Sequence, residues 1–512
     1  MKKQLFIYKS FYVLSSIFTF IIGLIFYDST TGLDFGFYIT SVNFFNGVSS
    51  NIYDPQGLLY FYIIAELTQL ISSIIDLTLE RILLNNVIQT FNFFLFIVGL
   101  QGIKTFLISK GFKLNNIYII LATLCFFPPS LYLRFTMKPE ILAFAIFPWL
   151  ITSLEFYFEN RKFYILIFST SLFALSTTSK ASIFGMILFC LLFLFYDQLI
   201  NFKKNIVVVL SLIMSSLFII IENYFTGKLW LFSKSLSPNN FSGSLGFDAW
   251  NHRASLNFFL NIDYKNLIEN PYNSYHFDSF VGITLLDTLS DYFGFFWNHK
   301  EITNLIAFNR IEFTENFLIQ KYLPMYLSII FTFSFYIILL FLICFKVKNW
   351  KYFSFPIFGL LILTLNSIGI PSNNFNPQTG DTFKVHYYAF LICFTFAILL
   401  ITILQNFKFS KALIPFLIAA FLITIGFPKE MTLDNQLLIE EKYNLTINCL
   451  FPDIQIEVCK QASDKYQLAN FDIQSINNLM KDRNILILNK FVIFSLFLSF
   501  ISFKKRFNIE NY

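Results

Sequence analysis

Charge is scarce in this chain: Asp, Glu, Lys and Arg make up 13% of its 512 residues, against 56% hydrophobic. A soluble protein of that length needs far more polar surface to cover its core, so a soluble globular fold is excluded. Histidine is nearly absent, and the four copies (His252, His276, His299, His386) are scattered. No Cys/His group has zinc spacing, which argues against a zinc site. Alanine is scarce and glycine numbers only 18, while 72 residues are Phe. That bias reflects genome composition as much as physics, so the Phe content carries little functional weight. Internal repeats of the solenoid type are missing, and the uneven loop lengths do not divide the chain into two matching transporter halves.

What the chain does have is a succession of apolar stretches, each of the length that a ~30 Å hydrocarbon slab demands. Candidate spans are 10–27, 83–103, 114–132, 141–158, 163–179, 181–197, 205–222, 322–345, 352–369, 385–404, 412–427 and 485–503. The expected fold is therefore an all-α polytopic membrane protein with about twelve transmembrane helices. The first stretch follows Lys2, Lys3 and Lys9 but lacks a small-residue cleavage site, so it is read as an uncleaved span.

The net charge of +6 is no nucleic-acid signal, because the basic residues sit in short clusters between apolar runs. With the N-terminus in the cytoplasm, the inner segments hold Lys2/Lys3/Lys9, Lys104/Lys110/Lys113, Arg161/Lys162, Lys203/Lys204, Lys346/Lys348/Lys351, Lys408/Lys411 and Lys504/Lys505/Arg506. Basic residues hold short loops in the cytoplasm, so both termini are expected there, in a bacterial inner membrane. One stretch, Leu58–Ile75, is apolar enough to span, but inserting it would put every later lysine cluster outside. It is read as an interfacial or re-entrant helix.

The expected organisation is a multi-span domain over 1–427 with outer loops 28–82 and 223–321. A small soluble outer module follows over 428–484, and 485–512 forms the last span and a basic tail. Cys449 and Cys459 lie in that module, on a side that permits disulfides and at a separation a small loop can close. We favour a disulfide there over two free thiols. Cys125, Cys190, Cys344 and Cys393 fall within spans, where a thiol packs as a small apolar group.

The first outer loop is dense in signals. Asp34 can N-cap a short helix that Asn46-Gly47 ends, and Tyr53-Asp54-Pro55 leads into Leu58–Ile75. The tripeptide Asp34-Phe35-Gly36 also spells a kinase motif, but no glycine loop or catalytic-loop signature accompanies it. Asp34, Tyr38, Gly47, Tyr53 and Pro55 together resemble the first outer loop of the GT-C superfamily of membrane glycosyltransferases, which includes the dolichyl- and polyprenyl-phosphate mannosyltransferases. Arg81 matches a basic residue often found before the second span. Arg134 with Lys138-Pro139-Glu140, and the hairpin Ser176-Thr177-Thr178-Ser179-Lys180, match polar positions of that superfamily further on. The likeness covers the first 200 residues or so and continues beyond them only as architecture. Many members carry two adjacent acids in the first loop; here Phe35 follows Asp34.

The resemblance implies transfer of a sugar from a polyprenyl-phosphate donor to a lipid or surface acceptor on the outer face. Asp34 would be the general base that takes the acceptor proton. Tyr38, Arg81, Arg134, Lys138, Glu140, Lys180, Lys384 and His386 are the candidate substrate-binding residues, the last two from Thr379-Gly380-Asp381-Thr382-Phe383-Lys384-Val385-His386. Cationic side chains or a divalent metal ion can hold the departing phosphate. Asp287 and Asp291, four apart on one helical face, are weak candidates for such an ion; a solvated helix face is the blander reading. The expected partners are the lipid-linked donor and membrane lipids, with no nucleic acid. A lipid-linked glycan flippase or transporter, or an oligosaccharide polymerase or ligase, is the alternative. A transporter calls for charged residues along a mid-bilayer path, whereas Glu155 and Asp197 lie near expected cytoplasmic span ends.

Overall fold

The computed structural model describes residues 2–26, 29, 35–46, 58–75, 81–225, 256–269, 279–289, 315–367, 385–406 and 410–425. All regular structure among them is helical: α1 (Lys2–Phe26), α2 (Phe35–Phe45), α3 (Leu58–Ile75), α4 (Arg81–Ser109), α5 (Leu114–Leu124), α6 (Pro128–Phe135), α7 (Glu140–Asn160), α8 (Phe163–Thr177), α9 (Ala181–Leu194), α10 (Tyr196–Leu199) and α11 (Phe202–Phe225). There follow α12 (Leu256–Leu260), α13 (Tyr264–Glu269), α14 (Phe280–Asp287), α15 (Glu315–Cys344), α16 (Trp350–Phe353), α17 (Phe355–Ser367), a 3₁₀ turn (Val385–Tyr387), α18 (Ala389–Asn406) and α19 (Ser410–Ile425).

Among the described residues, five stretches are long and apolar enough to cross a membrane: Gln4–Leu24, Leu83–Ser109, Glu140–Asn160, Met325–Cys344 and Ala389–Asn406. The bent pair α5–α6 makes a sixth if counted as one span. The expected twelve are not reached by this measure: helices such as Phe163–Ser176 are short, covering ~20 Å at 1.5 Å per residue, and the 485–503 stretch lies outside the described residues. Two of the long helices are inverted in polarity. On α1, Tyr12, Ser15, Ser16 and Thr19 face inward, while Phe6, Leu14, Ile17, Phe18 and Ile21 are exposed. On α15, Ser328 and Thr332 are buried and Ile330, Phe333 and Ile337 exposed. Leaving each such side chain in water forgoes about 1.5–3 kcal/mol, so these faces call for lipid.

Helix directions follow from side-chain pairs. Tyr12 meets Gln101, Phe20 stacks on Phe93 and Ser29 meets Asn85, so α1 and α4 are antiparallel. The segment joining them begins and ends at one end of the bundle, which accounts for α3 without an extra crossing. Tyr12–Tyr118, Ser16–Cys125 and Thr19–Arg134 run in step, so α1 is parallel to α5–α6. Glycines set the closest interface: a Cβ on Gly99 would lie 2.5 Å from the Phe144 ring and one on Gly102 2.8 Å from Trp149. Gly99–Phe144 and Lys110–Glu155 share one separation of 45 residues, so α4 and α7 are parallel.

The stretch 114–132, read as one span, is broken in the structure: α5 and α6 meet at 58°. Pro128 and Pro129 lack an N–H and clash with preceding carbonyls, so α5 cannot continue through them. Phe127, just before them, is extended, as a residue preceding proline prefers. The Ser130 hydroxyl bridges the break, within hydrogen-bonding distance of the Leu124 carbonyl, which lacks a Pro128 N–H, and of the Phe127 carbonyl. Cys125, Phe126 and Phe127 are buried in protein, the condition under which a broken helix survives at membrane depth.

Candidate functional site

The break aims the α6 exit at a polar cluster. The last carbonyls of a helix have no partner within it, and here α4 supplies them. Asn92 Nδ2 donates to the carbonyls of Arg134 and Thr136, both at 2.9 Å, and Gln89 Nε2 to that of Phe135 at 3.1 Å. The Tyr60 hydroxyl of α3 donates to Asn92 Oδ1 at 2.8 Å. Burial pushes the Tyr60 phenol well above its ordinary range, so it keeps the proton it donates. This brace holds the 136–139 turn, from which Lys138 projects and after which Glu140 opens α7.

Lys138 and His386 are both buried, with Nζ and Nε2 3.1 Å apart. An ammonium can only donate, so with Lys138 charged His386 accepts through Nε2 and carries its proton on Nδ1. Lys138 also lies over the Tyr38 ring, 5.7 Å from its centre. Beside this pair, Lys180 Nζ is 3.3 Å from Glu140 Oε1 and 3.9 Å above the Tyr387 ring. Glu140 is fully buried, and among the described residues its Oε2 has no hydrogen-bond partner. Asp287, the last residue of α14, accepts the backbone N–H of Val385 at 2.7 Å and so fixes the 3₁₀ turn bearing His386 and Tyr387. Five distant stretches thus meet: Tyr38, Lys138 with Glu140, Lys180, Asp287, and His386 with Tyr387.

Buried charge is costly unless paired, and basic side chains gathered at a bundle end suit an anionic group. For a cation the described residues offer less: no three His, Cys, Asp or Glu side chains gather among them. Asp287 Oδ2 is engaged by a backbone amide, and Asp291, the other acid considered for an ion from the sequence, lies outside the described residues.

Of the residues singled out in the sequence, Tyr38, Lys138, Glu140, Lys180 and His386 are brought together. Arg134 is not placed on an outer surface. Its guanidinium is fully buried, donates from Nη2 to the Thr19 carbonyl at 2.6 Å and lies 5.1, 5.7 and 4.9 Å from the Phe93, Phe96 and Phe135 ring centres. Its Nε and Nη1 have no hydrogen-bond partner among the described residues. Arg81 opens α4, its side chain outside the described residues. Asp34, Lys384, Asp291, Cys449, Cys459 and the 428–484 module also lie outside them. Sequence reasoning passed over Tyr60, Gln89 and Asn92. The signal was present: Asn85, Gln89 and Asn92 form an i, i+4, i+7 polar stripe in an apolar helix.

At the opposite bundle end, Lys110 pairs with Glu155 at 2.9 Å, the Tyr352 hydroxyl donates to the same carboxylate, and Lys351 meets Asp197 at 3.1 Å. These acids tie helices together across that end. The chain matches no protein-family model, no curated protein and no solved structure.

Proposed function

We propose that this protein is an integral membrane glycosyltransferase that moves a sugar from a polyprenyl-phosphate donor to a lipid or surface acceptor. The reading extends to twelve spans with both termini cytoplasmic, the shorter apolar helices also crossing, and to a bacterial inner membrane. It places the Lys138 cluster at the outer interface. The observation that carries it is the buried group of Lys138, His386, Lys180 and Glu140, assembled at the bundle end to which the 27–80 connection returns. In the proposed reaction Asp34 takes the acceptor hydroxyl proton. The acceptor oxygen then bonds to the sugar's anomeric carbon as the carbon–oxygen bond to the lipid phosphate breaks. Lys138 and Lys180 stabilise the charge left on that phosphate.

An ion-coupled transporter is the weaker reading. Arg134 is a fully buried charge, but three phenyl rings and a carbonyl enclose it, an arrangement that offers a solute no path. The test is transfer from a radiolabelled polyprenyl-phosphate hexose in membranes holding the full chain. Asp34→Asn should abolish transfer while detergent gel filtration remains normal. Lys138→Met, losing a charge-assisted contact, should lower kcat/KM about 10–100-fold. Full activity in both variants refutes the assignment.

A further inference from the structure

The short helices α12 and α13 carry apolar side chains that the described residues leave uncovered. Leu256 and Leu260 stand one turn apart on α12, Tyr264 and Ile268 one turn apart on α13, and they are 76%, 71%, 67% and 60% exposed. Other positions face protein: Phe258 and Leu267 are buried, and Phe259 packs on Phe280 of α14 with ring centres 5.4 Å apart. A third face is charged, with Lys265 and Glu269 exposed and 4.0 Å apart. Each helix pair face therefore has a separate character: protein, apolar and aqueous.

The position of this unit says what the apolar face meets. The Tyr326 hydroxyl of α15 donates to the Ile268 carbonyl at 2.6 Å, and Ser328 Oγ donates to the carbonyls of Leu285 and Leu286 at 2.9 Å. Tyr326 and Ser328 lie in the first turn of the apolar stretch Met325–Cys344, just after Gln320-Lys321. Ile268 is thus held at the height where α15 passes from polar to apolar. From that height α15 exposes Ile330, Phe333 and Ile337, the surface already assigned to lipid. The apolar stripe of α12–α13 continues that surface at its rim.

We propose that α12–α13 is an interfacial anchor, lying in the plane of the bilayer boundary on the side of the Lys138 cluster. Leu256, Leu260 and Ile268 enter the acyl boundary, Tyr264 sits at headgroup level, and Lys265 and Glu269 face water. The anchor connects to the cluster through α14. Ser279 Oγ, which caps α14, donates to the Asn261 carbonyl at 2.7 Å, and Asp287 at the other end holds the Val385 N–H. The lipid surface thereby sets the height of His386 and Lys138 relative to the headgroups.

The test places a benzoylphenylalanine photocrosslinker singly at Leu260, Ile268 or Lys265 in the full chain, irradiates whole membranes and identifies adducts by mass spectrometry. Phospholipid adducts at Leu260 and Ile268, severalfold above those at Lys265, are expected. A second measurement uses Tyr264→Trp in vesicles of phosphatidylcholine and phosphatidylglycerol, with the parent chain as baseline. Phosphatidylcholine brominated near the headgroup end of its acyl chain should quench the added fluorescence more than acrylamide does. Equal labelling at the three positions, adducts to protein in place of lipid, or stronger quenching by acrylamide overturns the anchor. No sugar transfer is read, so these outcomes are independent of the glycosyltransferase assignment.

Discussion

Replacing Gly99 by Ala tests whether the α4–α7 contact is as close as the geometry requires. The added methyl would lie 2.5 Å from two Phe144 ring carbons and 2.7 Å from the Phe144 backbone oxygen. Carbon atoms in contact prefer about 3.5–4.0 Å, so the helices must part by about 1 Å. A ring can rotate, but the carbonyl belongs to α7 itself and moves only with the helix. Overpacking of this kind costs about 1–3 kcal/mol. Alanine's advantage over glycine in a helix, about 1 kcal/mol, offsets part of it, leaving a net loss of about 0–2 kcal/mol. Gly185→Ala is the control, since its Cβ would meet only Ile362 side-chain atoms at 3.4–3.9 Å. The assay is the thermal midpoint of the detergent-solubilised full chain, followed by size-exclusion fluorescence. Gly99→Ala should melt at or below the parent and below Gly185→Ala, which should melt at or above it. A Gly99→Ala protein more stable than the parent, as helix propensity alone predicts, would refute the close packing of α4 on α7.

Arg134→Met should leave the thermal midpoint unchanged or raise it. An apolar side chain of similar length removes two unpartnered buried donors and one hydrogen bond, and such swaps of buried charge are neutral or stabilising by about 1–4 kcal/mol. A large loss in the same melting assay would show that the guanidinium's ring and carbonyl contacts outweigh its desolvation. Asp287→Ala strands the Val385 N–H and should cost about 1–3 kcal/mol; Asp287→Asn, which keeps an acceptor, should recover most of it. If both variants behave alike in melting, the hydrogen bond is not what holds the 3₁₀ turn.

Much of the helical order was legible along the chain because hydrophobic runs and their breakers are local. Leu58–Ile75 carries the same bounds in sequence and structure, and 141–158 becomes Glu140–Asn160. The 114–132 stretch was read as one straight helix because an apolar average ran across Pro128-Pro129, where the structure bends it by 58°. Arg134 was misplaced because its neighbours in the chain resemble a loop, whereas its surroundings come from α1 and α4. Asp287 stood out only for its spacing from Asp291; that its Oδ2 accepts the Val385 N–H, 98 residues away, is visible only in the folded chain.

The sequence by itself determined that the chain is helical and membrane-embedded, since length and polarity of a segment are properties of consecutive residues. Tyr38, Lys138, Glu140, Lys180 and His386 were among the candidate substrate-binding residues that the resemblance suggested from the sequence. Only the tertiary structure decided that these five meet, that Asn92 and Asp287 hold the turns carrying them, and that Arg134 stands apart. The physical reason is range. Burial in lipid acts on each segment separately, whereas a hydrogen bond from Lys138 to His386 spans 248 residues and exists only once α7 and α18 are packed.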